Sequence, residues 1–181
     1  MTPAPRPDGP ARALVIGYGN ALRTDDGVGW HAARLLAADP RLAGVIVLAR
    51  HQLAPELALE MSAATLVILV DASTAAPPGT VTVRRLAGPG GVAGGPGPGG
   101  SAASPGASSH HVDPELLLAL ARELYGAAPE VVVVSVGVAE MGPGESLTPA
   151  VTAALPAVAD TVAQLVAEHT GRARGRSREP A

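Results

Sequence analysis

Cysteine and phenylalanine are both missing from the chain, and aromatic residues make up only 2% of its 181 positions. Without cysteine there is no disulfide, no thiolate metal site and no cysteine nucleophile. With so few aromatics, a hydrophobic fraction of 47% has to build its core mainly from Ala, Val and Leu. Positive charge is not in excess either. A formal net charge of −3 gives no electrostatic case for nucleic acid. No uninterrupted run of 18 apolar residues argues for a membrane span. Met1–Arg12 lacks the basic start and apolar core of a secretory signal, so a cytoplasmic protein is the default expectation. Catalytic signatures are missing as well: there is no Gly-x-Ser-x-Gly elbow, no His-Glu-x-x-His helix and no Walker loop.

What is present centres on Ala13–Trp30, ALVIGYGNALRTDDGVGW. Its apolar start, Ala13–Ile16, suits a strand buried on both faces. Gly17-Tyr18-Gly19-Asn20 breaks that strand, and a polar turn then delivers Asp25 and Asp26 just before Gly27-Val28-Gly29 and a helix. A dinucleotide-binding turn is excluded, because position 22 is Leu22 where a third glycine belongs and the two acids would repel a pyrophosphate. The bland alternative is that one aspartate caps the helix. The other then needs partners elsewhere in the chain.

Further along, apolar runs and helical patterns alternate. Gly27–Ala38 reads as a helix with Val28, Ala32, Leu35 and Leu36 on one face, and Gly44–Ala49 as a strand. A helix carrying Leu57, Leu59 and Met61 follows, then the strand Ala64–Val70 ending on Asp71, then an exposed edge strand Thr80–Leu86. The segment 88–109 holds nine glycines, four prolines and four serines with no charge, a composition expected to be a disordered insertion. Asp113-Pro114 caps a helix Pro114–Tyr125 with Leu116, Leu117 and Leu120 inward. A valine-rich strand Glu130–Val138 comes next, and Thr148-Pro149 opens a long helix towards Glu168 that Pro156 should kink. The expectation is one α/β domain over 13–170, a three-layer sandwich of about five mostly parallel strands with helices on both faces. Segments 1–12 and 171–181 are expected to be disordered, the second a basic tail.

In such folds ligands collect outside the carboxyl ends of the strands, which is where Asp26 and Asp71 fall. His110-His111 follows the insertion and precedes a helix cap. Each residue has an ordinary reading as a cap or plain surface. Two carboxylates with a neutral imidazole nevertheless suit a borderline divalent ion such as nickel or zinc.

Gly17-Tyr18-Gly19-Asn20 with Asp25-Asp26-Gly27-Val28-Gly29, then Asp71-Ala72, Ser109-His110 and Leu147-Thr148-Pro149, resemble the hydrogenase maturation endopeptidases in order over roughly 13–168, with the spacing disturbed only by the 88–109 insertion. The resemblance implies an endopeptidase that removes the C-terminal extension of an immature [NiFe]-hydrogenase large subunit after nickel insertion. It implies Asp26, Asp71 and His110 as ligands of a nickel ion supplied by the substrate. His111 is the alternative register, and Asp26 stands where the family often has the longer Glu. Under this reading the peptide is cut by water. The metal polarises the carbonyl or activates the water, or Asp25 acts as general base, unless Asp25 is only a cap. The partner is the precursor large subunit, with no nucleic acid or membrane, and the protein is expected to be a monomer. A non-catalytic nickel-binding assembly factor or chaperone would need the same three ligands.

Overall fold

The computed structural model describes residues 12–86 and 112–176. The strands are β1 (Ala13–Tyr18), β2 (Ile46–Arg50), β3 (Leu66–Ser73), β4 (Val81–Arg85) and β5 (Glu130–Gly137). The helices are α1 (Val28–Leu36), α2 (Leu57–Ser62), α3 (Pro114–Tyr125) and α4 (Pro149–Arg176). One five-stranded sheet has the order β2-β1-β3-β5-β4, parallel throughout except for β4 at the edge. The expected segments 1–12 and 88–109 lie outside the described residues, save for Arg12 at the start.

Strand periodicity divides the core in two. Val15, Ile68, Val70, Val132, Val134 and Val136 face α1 and α4, while Leu14, Ile16, Val67, Leu69, Val131 and Val133 face α2 and α3. Parallel strands covered on both faces need apolar residues at every position, which explains the uninterrupted Leu66–Val70 run, fully buried along its length.

Helix faces follow the same logic with corrections at single residues. α1 buries Val28, Ala32 and Leu36 but leaves Leu35 exposed, α2 buries Leu57 and Met61 but not Leu59, and α3 turns in Leu117, Leu118 and Ala121, not Leu116. Leu59 lies two residues from Leu57 and so on the opposite side of α2, whereas α1 and α3 are rotated on the sheet so that Ala33 and Leu118 are covered in place of Leu35 and Leu116. Asp113 caps α3 by accepting from the Leu116 amide at 2.7 Å, and Gly126 ends it at a φ of 65°.

The C-terminal helix departs most from expectation. α4 continues past Glu168 and includes 171–176 of the stretch expected as a disordered tail, while Pro156 lies within it without ending it. Its far end is held on the amino edge of the sheet. His169 contacts Thr65 Oγ1 at 2.9 Å and the Glu130 carboxylate at 3.3 Å, and Glu130 also pairs with Arg85 and Arg172. These partners come from β4, β5 and the turn before β3, so nothing local in the tail announces them.

Two glycines set how closely α1 lies on the sheet. A Cβ on Gly17 would fall 1.9 Å from the Gly29 carbonyl oxygen, and one on Gly29 would fall 2.3 Å from the carbonyl oxygens of Tyr18 and Val70. Alanine at position 29 should gain about 1 kcal/mol in helix propensity, yet the contact with two strand carbonyls reverses the sign. Gly29→Ala is expected to destabilise the protein by about 3 kcal/mol in urea denaturation. Gly142→Ala, where a Cβ meets nothing within 4 Å, should change stability little. A neutral or stabilising Gly29→Ala would show that α1 does not need this close approach.

Candidate metal-binding site at the carboxyl edge of the sheet

From β1 the chain runs out to β2 and then returns to β3 on the other side, so the strand order reverses between β1 and β3. Loops leaving the carboxyl ends of β1 and β3 therefore diverge and open a crevice. Beyond the last registered pair, Gly17 with Val70, come Tyr18 and Asp71 on neighbouring strands. Strand alternation turns both towards the α2/α3 side, where Tyr18 packs on that half of the core.

Asp71 sits in a mostly buried position and accepts from its own neighbour's amide, Ala72 N, at 2.7 Å. Burial pushes its carboxyl up from 3.8 to about 6. The Tyr18 hydroxyl and the Ala72 amide oppose that rise, while the negative charge of Asp26 adds to it. The same environment raises the Tyr18 phenol, through its own burial first and then the Asp71 charge. Asp26 reaches the crevice from the 3-10 turn Thr24–Gly27, and its Oδ2 accepts from Asn20 N at 3.2 Å. The charge of Asp26 is thus felt at Asp71 across the crevice.

His110 and His111 lie outside the described residues. The described chain resumes at Val112, which packs on the same half-core as Tyr18, and the Tyr18 hydroxyl feels the charges of Glu115 and Arg84. Among the described residues no three His, Cys, Asp or Glu side chains form a group able to hold a metal. What they supply is a carboxylate pair. Its shared negative charge suits a divalent cation that takes a further donor from elsewhere.

Asp25 occupies a place that neither sequence reading anticipated. Neither aspartate caps α1, which begins without a side-chain cap. The Asp25 side chain instead crosses to the β5–α4 loop. Oδ1 accepts from Thr148 N at 2.7 Å, and Oδ2 accepts from Thr148 Oγ1 at 3.0 Å and from Glu140 N at 3.4 Å. Asp25 is wholly buried, so it has no open edge at which to hold a water for proton transfer. A carboxylate satisfied by amides 115 and 123 residues away leaves no local signature. The sequence reading also missed the Tyr18 contact with Asp71, although alternation along β1 puts residue 18 on the face of Leu14 and Ile16.

The raised carboxyl of Asp71 has a definite sign. A folded-state value of about 6, above the ordinary 3.8, gives stability that is full below pH 4 and lost as pH rises through 6. Asp71→Asn is expected to be more stable than wild type by about 1–3 kcal/mol at pH 8, with the difference closing towards pH 4. Urea denaturation of both proteins across that range checks it. An unchanged pH slope in the variant would mean that Asp71 is solvated like a surface carboxylate.

No family model matches the chain. No curated protein matches it in sequence. Solved structures do match. The chain is similar to the [NiFe] hydrogenase maturation protease HycI of Thermococcus kodakarensis KOD1, at 20% identity and a TM-score of 0.61, over 88% of this chain and 94% of that one. It is also similar to the hydrogenase maturating endopeptidase HybD of Escherichia coli, at 24% identity and a TM-score of 0.62, covering 87% and 93% of the two chains. A hydrogenase 2 maturation peptidase from a Thaumarchaeota archaeon gives 24% identity and 0.62, over 86% of this chain and 98% of that one. The five-stranded, mostly parallel α/β sandwich is therefore the fold that these maturation proteases have.

Proposed function

We propose that the protein is an endopeptidase that removes the C-terminal extension of an immature [NiFe]-hydrogenase large subunit once nickel is in place. One observation carries this reading. At the switch point of the sheet Asp26 lies near enough to Asp71 for its charge to raise the Asp71 carboxyl, in a fold whose solved examples include hydrogenase maturation proteases. The nickel is part of the substrate, recognised by the two carboxylates together with His110 or His111. Both histidines lie close in sequence to Val112, whose packing brings the start of α3 to the core beside Tyr18. The setting is the one expected from the sequence, a monomer acting in the cytoplasm on the precursor large subunit.

Recognition and chemistry are then linked by proximity. Two carboxylates that repel one another are neutralised by a divalent ion, so a precursor carrying nickel binds where an empty one does not. Anchoring the ion holds the nearby peptide bond in place and turns a bimolecular hydrolysis into a positioned one. Water adds to the scissile carbonyl, the C–N bond breaks, and the extension leaves with a new amine terminus. Asp25, enclosed by Thr148 and Glu140, is not a base in this scheme. Polarisation of the carbonyl and activation of the water by the bound nickel both fit it.

Incubation with a nickel-loaded precursor tests the proposal. Mass spectrometry should record loss of the extension with wild-type protein, and Asp71→Ala or Asp26→Ala should slow it by at least about 10²-fold. Tight binding without any loss of mass would favour the non-catalytic assembly factor. Normal cleavage by Asp71→Ala would end the ligand assignment.

A further inference from the structure

Asp25 is wholly buried, and all the groups that meet its carboxylate belong to one distant loop. The link is broad. Thr24 N donates to Gly144 O at 2.8 Å, Asp25 N to Glu140 O at 3.0 Å, and Gly144 N to Leu22 O at 3.0 Å. Arg23 Nε reaches Met141 O at 3.1 Å, and Thr24 Oγ1 reaches Gly142 O at 2.9 Å. Within this seam Thr24 is held at a φ of 44°, a left-handed conformation that a β-branched residue adopts only under constraint. On the other side of the turn, the Asp26 carbonyl oxygen lies against Gly19, where a Cβ would come within 1.9 Å. The turn bearing Asp26 is thus gripped between β1 and the β5–α4 loop.

We infer that Asp25 is a positioning residue for Asp26. Through Thr148 and Glu140 it ties the Thr24–Gly27 turn to the start of α4, and so fixes the direction in which the Asp26 carboxylate enters the crevice. The inference rests on the proposed ligand role of Asp26. The carboxylate has the geometry of a two-sided clamp, with one oxygen on the Thr148 amide and the other on its hydroxyl and the Glu140 amide. Its partners among the described residues are neutral groups just ahead of the amino end of α4. An amide in its place turns one acceptor into a donor and sets it against N–H groups. Removing the Thr148 hydroxyl loosens the clamp, whereas serine keeps it.

Titration calorimetry with free Ni²⁺ on Asp25→Asn, Thr148→Val, Thr148→Ser and Asp26→Ala provides the test, with amide exchange at Asn20 as a second readout. Asn20 N donates to Asp26 and so reports its position directly. Asp25→Asn should weaken nickel binding by about tenfold or more and speed exchange at Asn20, while remaining folded by circular dichroism. Thr148→Val should do the same to a smaller degree, and Thr148→Ser should behave as wild type. If Asp25→Asn or Thr148→Val only lowers the melting temperature, with nickel affinity and Asn20 exchange unchanged, Asp25 is a stability element and the inference is wrong. Should Asp25→Asn fail to fold, the contrast between Thr148→Val and Thr148→Ser decides alone. If Asp26→Ala binds nickel as wild type does, the ligand reading and this inference fall together. Weak binding by Asp26→Ala with normal binding by both clamp variants removes only this inference.

Discussion

Close approach between β1 and α1 is the constraint on which the rest of this structure depends. The carbonyl of Gly29 lies where a side chain on Gly17 would be, and the Gly29 position faces the carbonyls of Tyr18 and Val70. With α1 drawn down to this depth, the intervening turn passes over Gly19, where the Asp26 carbonyl takes the place of a side chain. Each glycine is demanded by a neighbour's backbone. That is a stricter requirement than a flexible loop would impose.

From that path the electrostatics follow. Two acidic residues are adjacent in sequence, yet the fold gives them opposite environments. Asp25 is turned into the protein, where its carboxylate accepts from three donors of the β5–α4 loop. Asp26 is turned into the crevice, where its charge opposes that of Asp71 and helps to lift the Asp71 carboxyl to about 6. The two charges are unfavourable to one another at this place in the fold.

α4 is tied down at both ends by unrelated means. Its start is held by the Asp25–Thr148 clamp at the carboxyl edge of the sheet. Its last turns are held at the amino edge by His169, Thr65, Arg172 and Glu130. Between these points Val151, Val158 and Val162 pack in the core on the α1/α4 side of the sheet.

By itself the sequence determined the alternation of strands and helices. Runs such as Leu66–Val70 are apolar at every position because both faces are covered, and that is visible without coordinates. Asp113-Pro114 announces a helix start, and the connection after β1 carries Asp26 by simple counting. Strand order, the pairing of Tyr18 with Asp71 and the place of Asp25 were decided only by the tertiary structure. So were the exposed Leu35, Leu59 and Leu116, and the helix over 171–176. The physical reason is the range of the interactions. Periodicity and capping act within a few residues, whereas the partners of Asp25 and His169 lie tens of residues or more away, and hydrogen bonds of that span leave no pattern along the chain.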